Sequence, residues 1–129
     1  RTRAAQALTD WLATDPTGSG TDLAALVGDL NSYGMEDPVR LLRDSGWQDV
    51  FAGRESYSYV FAAQAGRLTQ AFVTPALAER LRGAETWHSN SDEPVHVGYR
   101  SGNDGEVLQK PWRSSDHDPV LIGVDVRRP

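Results

Sequence analysis

A chain of 129 residues is enough for one domain that buries roughly two-thirds of its unfolded surface, and too short for two. Its 13 Lys and Arg against 18 Asp and Glu give a formal charge of −5, a poor fit to a non-specific nucleic-acid coat built on many phosphate contacts but compatible with an enzyme that holds nucleic acid through a metal and a local basic patch. The absence of Cys excludes disulfide staples, thiol catalysis and Cys-ligated zinc, while 39% hydrophobic and 24% charged residues make a folding composition.

Residues 3–13 carry Ala4, Ala7, Leu8, Trp11 and Leu12, one apolar stripe at helical period, so a helix is expected there. It should stop before the Pro16, Gly18 and Gly20 loop. The run LAALVGDL, 23–30, has no polar alternation and reads as a strand buried on both faces of a parallel or mixed sheet. Asp37 and Pro38 mark a helix start, and Gly46 its left-handed cap. YSYVF, 57–61, and RLTQAFV, 67–73, are strand candidates whose separation by Gln64-Ala65-Gly66 suggests a hairpin. Pro75 opens another short helix through ALAERLRG, and 84–89 reads as a strand. Residues 90–114 form a long polar loop, of the kind that is usually functional, and PVLIGVDV, 119–126, closes the chain as a strand. Trp11 and Trp47 are expected in the core or between helices. The alternation of helices and short strands points to a layered α/β or α+β domain.

Two segments concentrate chemistry. In GDLNSY, Asp29 and Asn31 sit where an apolar strand runs out, and side chains two apart on a strand face one way. Taken alone, the pair also reads as an Asx cap of a turn. In RSSDHDPV, Arg113, Asp116, His117 and Asp118 precede the last strand. Asp beside His offers a hard oxygen ligand for a divalent cation and an imidazole for proton transfer or phosphate contact; alone, it also reads as a polar turn ending in an Asp-Pro break. Both clusters stand at strand ends, where open α/β sheets build sites.

Together, GDLNSYGMEDP, YSYVFAAQAGRLTQAFVTPAL, WHSNSDEP and RSSDHDPV occur in the order found in the endonuclease/exonuclease/phosphatase superfamily, and the chain resembles its secreted bacterial nucleases over nearly its whole length. The resemblance implies a two-sheet α/β sandwich flanked by helices, the four-layered DNase-like fold. It implies hydrolysis of phosphodiesters in DNA or RNA with Mg²⁺, for which Mn²⁺ or Ca²⁺ can stand in. Carried over by motif, Asp29 orients or deprotonates the attacking water and contacts the metal. Asn31 holds that water or a phosphate oxygen, Asp116 ligates metal, and His117 binds the phosphate, with Arg113 beside it. It also implies an extracellular or cell-envelope location.

Two departures shape the expectations. The family domain is about twice as long, and the metal-binding Glu, Asn and second catalytic His of its front half have no matching motif here. This chain, which starts Arg-Thr-Arg without a Met, therefore reads as the C-terminal half, weak or inactive alone, exposing a sheet face to the missing half or to a second copy. Second, the family carries an Asp, followed by His or Tyr, where this chain has Thr69 and Gln70. That Asp buttresses the imidazole corresponding to His117; Thr69 accepts a hydrogen bond but brings no charge, so weakened hydrolysis is expected.

WHSNSDEP resembles a segment of the secreted branch; its Asn90 and Asp92 read as a brace of the site rim or a second ion site, and His88 as structural. His96 has no partner spacing. Arg100, Lys110 and Arg113 could track a phosphate backbone, with Tyr99 or Trp112 stacking on bases. Alternatives on the same fold are a phosphomonoesterase or nucleotidase, a lipid phosphodiesterase, and a binding module that has lost its chemistry. No apolar run approaches the length of a membrane span, and no signal peptide is recognisable.

Overall fold

The computed structural model describes residues 1–95 and 113–127. In chain order it forms α1 (Thr2–Leu12), β1 (Ala25–Asp29), α2 (Asp37–Asp44), β2 (Gln48–Asp49), β3 (Tyr59–Phe61), β4 (Gln64–Gly66), β5 (Thr69–Val73), α3 (Pro75–Ala78), β6 (Leu81–Thr86) and β7 (Val120–Val124). The chain is thus mixed α and β, with small antiparallel sheets in the orders β1-β5-β2, β3-β4 and β6-β7.

The central sheet is sandwiched. On one face Leu26 and Phe72 meet Val39 and Leu42 of α2, with Leu8 and Leu12 of α1, Leu30 and Trp47 closing the cluster. On the other, Ala71 and Val73 pack with Val50 and Phe51 against Leu81 and Ala84 of β6, Val120 and Ile122 of β7, and Leu77 of α3. Alternate side chains of β5 feed opposite clusters, as strand period requires.

Several expectations need correction. The strand at 23–30 is neither in a parallel or mixed sheet nor buried on both faces. β1 is an edge strand, antiparallel to β5, with Leu26 buried and Val27 half exposed. The doubly buried strand is β5, because it lies between β1 and β2. The hairpin also differs. Gln64–Gly66, expected to connect strands, is itself the return strand against β3, and β5 leaves for the other sheet. The turn is Ala62-Ala63, both at positive φ (50° and 62°), the backbone of a two-residue type I′ turn. The helix at Pro75 ends after one turn and β6 begins at Leu81, earlier than expected, because Leu81 and Ala84 complete the core. Trp11 stands exposed beside the stripe that α1 turns inward. At the second helix the cap is Glu36 rather than Asp37, with Pro38 in the first turn as expected, and Gly46 follows at φ 91°.

One buried ionic knot ties the elements together. The Asp49 carboxylate accepts from Arg43 of α2 at 2.9 Å and from Arg67 just before β5, and Arg67 lies over the Phe51 ring. Burial alone would raise the Asp49 carboxyl; the Arg43 hydrogen bond, the Phe51 amide and the Arg67 charge outweigh it and hold it below its ordinary value.

Candidate active site

The turn after β1 is built around its own polar side chains. Asp29 Oδ1 accepts from the Asn31 amide at 2.7 Å, closing an Asx turn. Asn31 sits at φ 48°, a left-handed conformation that Asn tolerates better than most residues. The next residue is pinned from below. The fully buried Gln70 donates from Nε2 to the Ser32 carbonyl (2.9 Å) and the Arg67 carbonyl (2.7 Å). Gln70 therefore fixes the turn that presents Asp29 and Asn31.

The second segment is anchored by Asp118, whose side chain is fully buried. Oδ1 accepts from the Asn90 and Ser91 amides, each at 2.9 Å, and Oδ2 from the Ser91 hydroxyl and from His88 Nδ1 at 2.8 Å. Burial pushes the Asp118 carboxyl up, but the Ser91 hydroxyl and amide, His88 and the Asn90 amide together hold it below its ordinary value. His117 is thereby set in place. Its amide donates to Ser115 Oγ at 3.0 Å and its carbonyl accepts from Asn90 Nδ2 at 2.7 Å. Ser58 links the halves: its carbonyl accepts from the Asp118 amide (2.8 Å), and its buried hydroxyl accepts from the Leu68 and Thr69 amides.

Asp29, Asn31, Tyr59, Leu68, Thr69, Ser115, Asp116 and His117 line one cleft of about 400 Å³. Asp29, Asn31, Asp116 and His117 thus meet from opposite ends of the chain. His117 Nδ1 lies 3.2 Å from Thr69 Oγ1, and Nε2 lies 3.9 Å from Asp29 Oδ2. The second distance is too long for a direct hydrogen bond. The Tyr59 ring, tilted 39° at 4.9 Å, backs the imidazole. Asp29 is about half exposed while His117 is mostly covered, so the carboxylate meets solvent and the imidazole is held.

The residues fit part of a cation's shell. Asp29 and Asp116 line the cleft with the hard oxygen donors that Mg²⁺ takes, yet among the described residues no three His, Asp or Glu side chains are grouped closely enough to hold a metal ion by themselves. Mg²⁺ tolerates this better than zinc does, because it keeps several waters and is completed by substrate phosphate oxygens.

Other expected residues lie elsewhere. Arg113 is not aimed at the cleft: it is buried, at φ 58°, and Nη1 donates to the Asn90 and Ser91 carbonyls at 2.9 and 3.3 Å. Asn90 braces His117 from behind. Asp92 accepts from the Tyr57 hydroxyl at 2.8 Å, and Tyr57 stacks on His88 at 4.1 Å. The hydrogen bond to Asp92, then burial and the nearby carboxylates, raise the Tyr57 phenol. His96, Tyr99, Arg100, Lys110 and Trp112 fall outside the described residues.

Sequence reading missed Tyr59 and Ser115. Ser115 carried a signal, since Ser two residues before a backbone donor forms local side-chain turns. Tyr59 had only the alternation of YSYVF. A larger, mainly apolar cleft of about 480 Å³ opens among Leu12, Trp47 and Pro75, with Asp22 its one ionisable side chain, so it offers no pair for acid–base work. No family model, curated protein or solved structure matches the chain.

Proposed function

We propose that this cleft hydrolyses phosphodiester bonds with a divalent cation, Mg²⁺ first. The observation that carries the reading is the convergence of Asp29, Asn31, Asp116 and His117, from segments some ninety positions apart, on one cleft. The resemblance of the two motifs to the endonuclease/exonuclease/phosphatase superfamily supports it. So does the packing of two sheets beside helices, which we read as the C-terminal half of the four-layered sandwich.

A phosphodiester is already anionic, so hydrolysis requires charge neutralisation and positioning before attack. A bound Mg²⁺ supplies the Lewis acid that neutralises the phosphate. Asp29 Oδ2, on the side away from its own turn, accepts the proton of the attacking water. The Asn31 amide orients that water or a non-bridging oxygen. Asp116 would hold the cation, and His117 Nε2 donates to a non-bridging phosphate oxygen as the P–O ester bond opposite the attacking water breaks and the leaving oxygen takes a proton from solvent. Thr69 orients the imidazole without a carboxylate's charge, which makes the site weaker than an Asp-buttressed one. That feature also favours a second reading, a module that binds phosphate esters without turnover.

Nicking of supercoiled plasmid with Mg²⁺ and with EDTA, beside nitrophenyl phosphate turnover, tests the proposal. Nicking in Mg²⁺ alone supports it. Turnover of only the monoester moves the substrate to a phosphomonoester, and DNA binding without either reaction supports the binding module. The intact extracellular or cell-envelope nuclease we propose would show the stronger activity, because the rest of the sandwich completes the cation shell.

A further inference from the structure

The strand that backs His117 continues outward as an aromatic row. Tyr59 and Phe61 are two apart on β3, so their side chains share a face. Their rings are parallel within 6°, with centroids 6.4 Å apart, and Tyr59 is the ring that tilts over His117. Phe61 is 66% exposed, a large apolar side chain at the tip of a hairpin rather than in a core. The row therefore starts inside the candidate site and ends in solvent.

The platform is held stiffly. The β3–β4 hairpin closes through a two-residue turn. Its base is tied to β5 by the Ser58 hydroxyl. The Tyr33 ring presses on Gly66, where no side chain larger than hydrogen fits without moving it. An exposed aromatic ring on a rigid mount loses little freedom when a flat partner covers it.

We propose that Phe61, with Tyr59 behind it, is a base-stacking subsite that makes unpaired nucleic acid the preferred substrate. The inference rests on the phosphodiesterase reading above. A phosphate seated at His117 leaves the attached nucleoside within reach of the row, since Tyr59 touches the imidazole and Phe61 is the next ring out. Ring-to-base stacking needs an open base face, which a paired duplex hides within its own stack and a single strand offers. The contact is indifferent to base identity, so it selects strandedness and not sequence.

The test is binding without turnover. Fluorescence anisotropy of labelled oligothymidylate, an abasic strand of equal length and a blunt duplex is measured in EDTA at low salt, for the wild type, Phe61→Ala and Phe61→Trp. Phe61 is exposed, so both variants should fold as the wild type does, which circular dichroism checks. The expected result is a loss of roughly 5- to 150-fold for oligothymidylate in Phe61→Ala, the range of one base–aromatic stack. Phe61→Trp should restore it, and duplex and abasic binding should not change. Equal oligothymidylate affinity in wild type and Phe61→Ala overturns the subsite, as does equal binding of abasic and base-bearing strands. Failure of the wild type to bind any nucleic acid in EDTA overturns the subsite alone, whereas the phosphodiesterase reading falls when plasmid nicking in Mg²⁺ fails, which separates the two failures.

Discussion

Thr69 Oγ1 stands 3.2 Å from His117 Nδ1, at the position from which a carboxylate could orient the imidazole. A threonine hydroxyl fixes ring direction but can donate or accept, so it selects a tautomer only weakly. Thr69→Asp should raise the plasmid-nicking rate by about 10- to 100-fold, the usual scale of such supporting contacts. Thr69→Val should lower it. A Thr69→Asp variant that folds and shows no gain at any pH removes the orienting role from this position.

Asn31 has two duties that substitution can separate. The residue lines the cleft, and its backbone holds φ 48°. Asn31→Gly removes the amide but accepts the conformation, whereas Asn31→Ala adds strain of about 1–2 kcal/mol. Both variants should lose hydrolysis equally, and only the alanine variant should shift its urea midpoint further. Equal stability in both would show that the turn relaxes.

Much of this arrangement was legible in the sequence, for reasons of local chemistry. Asp29, Asn31, Asp116 and His117 each lie within a short motif at a strand end, and the cleft contains all four. Thr69 was legible as His117's partner only through the resemblance, which places an Asp at that strand position, and the fold then sets Thr69 Oγ1 beside His117 Nδ1. What failed depended on neighbours far along the chain. LAALVGDL looks doubly buried, yet burial is decided by which strand lies between the others, and that strand is β5. Arg113 reads as a phosphate ligand by charge, but the carbonyls of Asn90 and Ser91, more than twenty residues earlier, take its guanidinium. The hairpin was misplaced because Ala62-Ala63 lacks the Asn and Gly that usually announce a type I′ turn.

That turn makes a stability prediction. Two alanines at positive φ are strained, and Asn-Gly is the pair this backbone favours. Ala62→Asn with Ala63→Gly should stabilise the protein by about 1–2 kcal/mol in urea unfolding, with the nicking rate unchanged. Destabilisation would mean that the hairpin adopts another turn in solution.

The Asp49 knot makes a pH prediction. Its carboxyl is held below the ordinary value of 3.8 in the folded chain, with 4% of the side chain exposed. A lowered folded value means that the stabilisation is complete above the unfolded value and drains away as pH falls through the folded one. The wild type should therefore lose urea stability as pH falls below the ordinary carboxylate range, and Asp49→Asn should start lower but lose less over that span. At pH 7, Asp49→Ala, which strands Arg67 without its carboxylate, should cost about 3–5 kcal/mol. Parallel pH curves for wild type and Asp49→Asn would show that the knot adds nothing.

The most direct measurement is a Mn²⁺ anomalous difference map from crystals soaked at a pH where the carboxylates are ionised. The predicted result is one manganese peak in the cleft, within coordination distance of Asp29 or Asp116 and on the side of His117 Nε2. Manganese bound only outside the cleft, or no peak at saturating metal, would contradict it.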